Sequence, residues 1–153
     1  MAIKVTIDND TTLDMLRGVY ANKLNATSRG ARYAMNSKKR AFKEAVRLTA
    51  KVEGEPVEGN NVTAIYVLTL PRCDWDAPIK SMQDACEELA IAARDDRLIK
   101  AALTVIVRPC SETKKRIGRP RQVVAEFYST EKEKEKVLAR VYHLLDWAAD
   151  CWA

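Results

Sequence analysis

The apolar and polar positions change period several times along the chain, and each change marks an element. Residues 2–8, AIKVTID, alternate and predict a strand. TTLDMLRGVY then predicts a short helix capped by Thr11 or Thr12, and ANKLNATSRGARYAMN, rich in Asn, Ser and Gly, a loop. Ser37 is placed to cap a helix running to about Val52, with Phe42, Ala45, Thr49 and Val52 on one face. After the breaker stretch EGEPVEGNN comes the clearest strand, VTAIYVLTL (62–70). A helix follows from near Pro78, with Ile79, Met82, Cys86, Leu89 and Ala93 stepping by three and four. LIKAALTVIVRP (98–109) is a strand candidate whose first half could instead continue the helix, and RQVVAEFY (121–128) predicts a strand that could return antiparallel across the basic loop CSETKKRIGRP. The last segment predicts a helix with Leu138, Val141, Leu145 and Ala148 on one face, its Glu/Lys run solvated.

This order (strand, helix, strand, helix, hairpin, helix) predicts a single α/β (α+β) domain with a mixed sheet and helices mainly on one face. Residues 1–128 form its body and 129–153 a helical extension, packed on the domain or at a dimer interface. A chain of 153 residues is long enough to bury about two thirds of its unfolded surface. No apolar run is long enough to cross a bilayer, and MAIKVTIDND has neither the basic start nor the apolar core of an export signal. The expectation is a cytoplasmic protein with no membrane partner. The scattered cysteines Cys73, Cys86, Cys110 and Cys151, with His143 as the single histidine, do not make a structural zinc pattern and read as free thiols. His143 reads as a packing or interface residue of the last helix. The net charge of +5 leans toward a polyanionic partner.

Candidate chemistry sits in CDWDAPIKSMQDACEELAIAARDDRLIK (73–100). In extended chain, Asp74 and Asp76 project to one side, about 6.5–7 Å apart along the chain. They also precede a helix start, where negative charge is favoured. Asp95 and Asp96 fall at the other end of that helix, where the dipole gives a carboxylate no help. A cation shared by Asp96, Asp74 and Asp76 would account for them, if the strand starting near 98 lies beside the strand ending near 70. Two carboxylates about 4 Å apart repel by roughly 4 kcal/mol at an effective dielectric near 20. Three that converge must therefore take up protons or bind a metal, and oxygen ligands suit Mg²⁺ or Mn²⁺. Lys80, one turn past Asp76, can support the charge that develops when a phosphodiester is hydrolysed beside such a metal. The plain alternative for D-x-D is a helix cap and a solvated turn.

The residues D-W-D-A-P-I-K-S-M-Q-D-A followed by A-R-D-D-R-L-I resemble the signature of the RusA family of Holliday junction resolvases, approximately D-x-D-N-x-x-K-x-x-x-D-A-L and then D-D-x-x-I. Asp74, Asp76, Lys80, Asp84, Asp95, Asp96 and Ile99 fall in register with it. The similarity extends over about residues 22–128, with NATSRGARYAMNSKKRAFKEAV corresponding less specifically to the family's Asn/Arg/Tyr loop and first long helix. The resemblance implies a dimeric, Mg²⁺-dependent endonuclease that binds four-way DNA junctions and nicks them in symmetrical pairs, in recombination and repair, often encoded by phages or prophages. By position, Asp74, Asp76 and Asp96 would hold the metal and Lys80 would assist catalysis, while Asp84 and Asp95 are supporting. The family's Asn is Ala77 here, its usual arginine before the first Asp is Cys73, and its proline-rich lead into the N-terminal loop is missing. Those departures motivate an alternative, a branched-DNA-binding protein with weak or no cleavage.

Lys114, Lys115, Arg116, Arg119 and Arg121 place five cations in eight residues around Gly118 and Pro120, which suits contact with DNA phosphates. Arg29 and Arg32, beside Tyr33, form a second candidate DNA contact. Lys38, Lys39 and Arg40 read as a solvated surface.

Overall fold

The computed structural model describes residues 2–21, 29–57, 61–70, 77–90, 99–106 and 121–150. Strand β1 (Ile3–Ile7) leads into helix α1 (Asp10–Ala21), followed by α2 (Arg29–Thr49), β2 (Lys51–Gly54), β3 (Val62–Thr69), α3 (Ala77–Ala90), β4 (Ile99–Ile106), β5 (Gln122–Ser129) and α4 (Lys134–Asp150). The strands form one mixed sheet in the order β2-β1-β5-β3-β4. Among the described residues only the β3–β4 pair is parallel. The expected α/β fold with a mixed sheet is the fold observed.

Strand alternation sorts the core into two layers. On one face Ile3, Val5, Ile7, Ala64, Tyr66, Leu68, Val123, Ala125 and Phe127 pack beneath α1, α2 and α3. Tyr66 and Phe127 meet edge to face there, centroids 6.1 Å apart. On the other face Ile65, Val67, Val124 and Tyr128 pack against Leu144, Val137, Val141 and Trp147 of α4. Because both faces of β3 and β5 are covered, those strands are buried along almost their whole length.

Several boundaries differ from the sequence reading, each for a local reason. Asn9 caps α1, accepting the Thr12 amide on its side-chain oxygen at 3.1 Å, while the Thr12 side chain is buried and bonds Thr49 at 2.9 Å. Arg29 to Asn36 is helix, not loop, because Met35 falls in phase with Phe42, Val46 and Thr49. Ser37 is therefore inside α2, and Val52 belongs to β2. Gly54, at φ +95°, ends β2 where a Cβ would run into the carbonyl oxygen of Ala2. β4 and β5 are not a hairpin: β3 lies between them. The inward face of α4 is Val137, Val141 and Leu144, leaving Leu138 and Leu145 exposed, and His143 faces outward too.

Helix α4 is locked to the sheet by charge as well as by apolar contact. Glu126, buried on β5, accepts Arg140 at 2.9 Å and 3.0 Å on its two oxygens, and Tyr128 Oη at 2.7 Å. Burial first, and then the bond to Glu126, push the Tyr128 phenol well above its usual range.

Among the described residues no helix is long and apolar enough to cross a membrane.

Candidate functional site

Register fixes which connections share an end of the sheet. Leu68 lies opposite both Val123 and Ile106, and Ile7 also lies opposite Val123. The exits of β1, β3 and β4 and the entry to β5 therefore form one end. Two connections rooted there, 71–76 and 107–120, contain Asp74, Asp76, Lys114, Lys115, Arg116 and Arg119. All six of these residues lie outside the described part of the chain.

The other end receives the connection 91–98, which contains Asp95 and Asp96, also outside the described residues. Here the frame departs from the expected juxtaposition. β3 and β4 are neighbours, but their pairing is parallel, with Val62 opposite Ile99 and Leu68 opposite Ile106. The start of β4 thus lies beside the start of β3, about 23 Å of strand away from its end. The cause is α3, which runs back along the pair as the crossover of a β-α-β unit, as a parallel connection requires. Among the described residues no three His, Cys, Asp or Glu side chains come together as a metal site.

Lys80 lies in the first turn of α3, half exposed, with its ammonium 3.1 Å from Asp84 Oδ1 one turn further on. The buried face of the same helix carries Met82 and Cys86, as the spacing predicts. The Cys86 thiol is pushed up to about 12 by burial, so it is a packing residue and not a nucleophile.

The cations separate into two groups. Arg121 is held in place: its guanidinium donates to Asp10 Oδ1 and Asp14 Oδ1, each at 3.0 Å, tying the start of β5 to the first turns of α1. The bonds to Asp10 and Asp14 raise its pKa above the usual arginine value, and a DNA phosphate would have to displace two carboxylates to use it. Arg29 and Arg32, by contrast, are exposed at the start of α2.

Further along α2 the structure gives a setting to Lys39 and Arg40, which read as solvated surface in the sequence, and adds Asn36 and Lys43 to them. A cavity of about 300 Å³ opens between α2 and α3, with Phe42 at its base. Asn36, Lys39, Arg40 and Lys43 form one wall, and Ser81 and Asp84 the other. The signal was present in the sequence as a phase: Arg29, Arg32, Asn36, Arg40, Lys43 and Arg47 recur every three or four residues, once per helical turn. Reading 21–36 as loop hid it.

No family model matches the chain, and no curated protein or solved structure matches it either.

Proposed function

We propose that the protein is a Mg²⁺-dependent, structure-specific endodeoxyribonuclease that acts as a homodimer on four-way and other branched DNA. The observation that carries this reading is the signature in register, Asp74, Asp76, Lys80, Asp84, Asp95, Asp96 and Ile99, which resembles the RusA family. The frame supports it in two ways. The connection bearing Asp74 and Asp76 leaves the same end of the sheet as the basic 107–120 connection, so acidic and DNA-contacting groups are rooted together. Lys80 stands on the first turn of the helix that follows, beside that end.

In this reading Asp74, Asp76 and Asp96 hold the metal through oxygen atoms alone, a donor set suited to Mg²⁺ with Mn²⁺ as substitute. The metal would neutralise the scissile phosphate and lower the pKa of the attacking water. Lys80 supports the charge that develops on the phosphate oxygens. Lys114, Lys115, Arg116 and Arg119 hold the DNA backbone, joined by Arg29 and Arg32 at the start of α2. The parallel register sets a specific demand on Asp96, whose connection enters from the far end of the β3–β4 pair. The reading requires either that 91–98 turn back along the pair or that a second subunit supply Asp96.

Asp74→Asn and Asp96→Asn, assayed separately on a labelled four-way junction with Mg²⁺, test the assignment. Both are expected to lose nicking while retaining junction binding. Full nicking by Asp74→Asn removes the proposed metal site, and full nicking by Asp96→Asn removes Asp96 from it. If each variant is inactive alone and mixing the two restores nicking, the site is shared between subunits. The departures at Ala77 and Cys73 favour a second reading, a branched-DNA-binding protein without cleavage, which the unmutated protein would reveal by binding junctions but nicking none in Mg²⁺ or Mn²⁺.

A further inference from the structure

Charge is not spread evenly over this molecule. Helix α2 carries seven of the chain's 26 Lys and Arg and one of its 21 Asp and Glu. It is therefore +6 by itself, while the rest of the chain, 19 cations against 20 acids, is −1. A single helix accounts for the whole basic balance of the protein.

Three observations show that this charge is held open. First, among the described residues Arg29, Arg32, Lys38, Lys39, Arg40 and Lys43 make no ion pair; on α2 only Arg47 does, with Glu44. Second, the arrangement opposes the helix's own stability. Lys39 and Lys43, then Lys43 and Arg47, are like charges four apart, each pair costing a few tenths of a kcal/mol where a Glu–Lys pair would contribute as much. Third, the cations do not merely coat a convex surface. Lys39, Arg40 and Lys43 border the cavity shared with α3, where the Asn36 and Ser81 side chains add neutral hydrogen-bonding groups and the carboxylate of Asp84, on the α3 wall, is paired with Lys80 at 3.1 Å.

We infer that the α2–α3 groove is a phosphate-backbone-binding surface, with Lys39, Arg40 and Lys43 at its centre and the cations of α2 before and after them extending it along the helix. Arg29, Arg32, Lys39, Arg40, Lys43 and Arg47 recur along one side of a 21-residue helix, interrupted only at the neutral Asn36, and give a positive edge roughly 30 Å long, the form a nucleic-acid strand presents in negative. An anionic membrane is the competing polyanion for a basic amphipathic helix, but such a helix binds by laying its apolar face into the lipid. Here that face is spent: Phe42 and Val46 are fully buried in the core, and the large apolar side chains left exposed on α2 are Tyr33 and Leu48. The inference deepens the proposed nuclease reading by naming where the DNA lies. It rests on that reading only for the choice of DNA, and it requires no cleavage.

The test is binding of a fluorescein-labelled four-way junction and a linear duplex, in EDTA, over a salt series. The triple variant Lys39→Ala/Arg40→Ala/Lys43→Ala is compared with Lys132→Ala/Lys134→Ala/Lys136→Ala, which removes the same charge from the run before and into α4. The α2 variant is expected to bind about 100-fold more weakly near 0.15 M salt. Its slope of log affinity against log salt should fall by about 2.7, or 0.9 for each phosphate that the three side chains neutralise. The α4 variant should bind like the unmutated protein, and circular dichroism should show both variants folded. An unchanged affinity and slope for the α2 variant overturns the inference, as does an equal loss in the α4 variant. So does a protein that binds phosphatidylserine vesicles but no nucleic acid. Binding through α2 without nicking in Mg²⁺ or Mn²⁺ sustains the inference and defeats the nuclease reading; nicking with α2 variants that bind normally does the reverse.

Discussion

Helix α2 carries seven cations against one acid, whereas the run before and into α4, residues 131–136, alternates Glu and Lys three times. Both would pass as charged, solvated helix surface. The fold treats them differently. Around α4 two of the cations are matched: Arg140 closes on the buried Glu126, and Lys136 lies 3.8 Å from Glu133. On α2, Glu44 meets one arginine and six other cations face solvent or the α2–α3 groove. The difference teaches how to read a charge run. Alternating signs cancel along the chain itself and report on solubility and docking, while a run of one sign on a regular phase awaits a partner of the opposite sign.

Three substitutions break or sharpen this comparison, because each removes a cation whose situation differs. Arg140→Leu has the largest expected effect. It leaves the Glu126 carboxylate buried without its counter-ion, at a cost of about 3–5 kcal/mol, read as a fall in the urea midpoint. Adding Glu126→Leu should recover most of that loss, since a matched apolar pair is often as stable as a buried ion pair. If the single variant is as stable as the unmutated protein, α4 is not fastened to the sheet by this pair.

Arg121→Met removes a cation that is matched but partly exposed. The loss of its two bonds to Asp10 and Asp14 should cost no more than about 1 kcal/mol, and junction affinity should change little. A large drop in affinity with stability intact would move Arg121 to the DNA-binding group. The smallest expected effect is the most pointed. Lys43→Ala should leave thermal stability unchanged or raise it by a few tenths of a kcal/mol, as two like-charge pairs are relieved, whereas Lys136→Ala should lower it slightly. Equal signs for the two variants would erase the distinction between the helices.

How much of this was legible in the sequence varies by region. Period-2 alternation located β1, which buries every second side chain, while short apolar runs bounded by breakers located β3, β4 and β5, of which β3 and β5 are buried on both faces. Hairpin reasoning failed for β4 and β5 because neighbours in sequence need not be neighbours in a sheet, and β3 pairs with both. The short β2 was missed because its KVEG carries no buried side chain; pairing with β1 creates it. In α4, Leu138 and Leu145 fitted a helical stripe as well as Val137 and Leu144 did, and only packing against Ile65, Val67 and Tyr128 selects between them. For the site, the acidic signature and Lys80 could be read directly, but strand direction could not. It is the parallel pairing of β3 and β4 that separates the ends from which Asp74 and Asp96 arise.

The most direct measurement is incubation of the unmutated protein with a labelled four-way junction, a linear duplex and a single strand, with and without Mg²⁺, resolved on a denaturing gel. The account predicts paired nicks at symmetrical positions in the junction, only with metal, and far weaker cutting of the other two substrates. Intact junctions in both Mg²⁺ and Mn²⁺, or nicking that persists in EDTA, would contradict it.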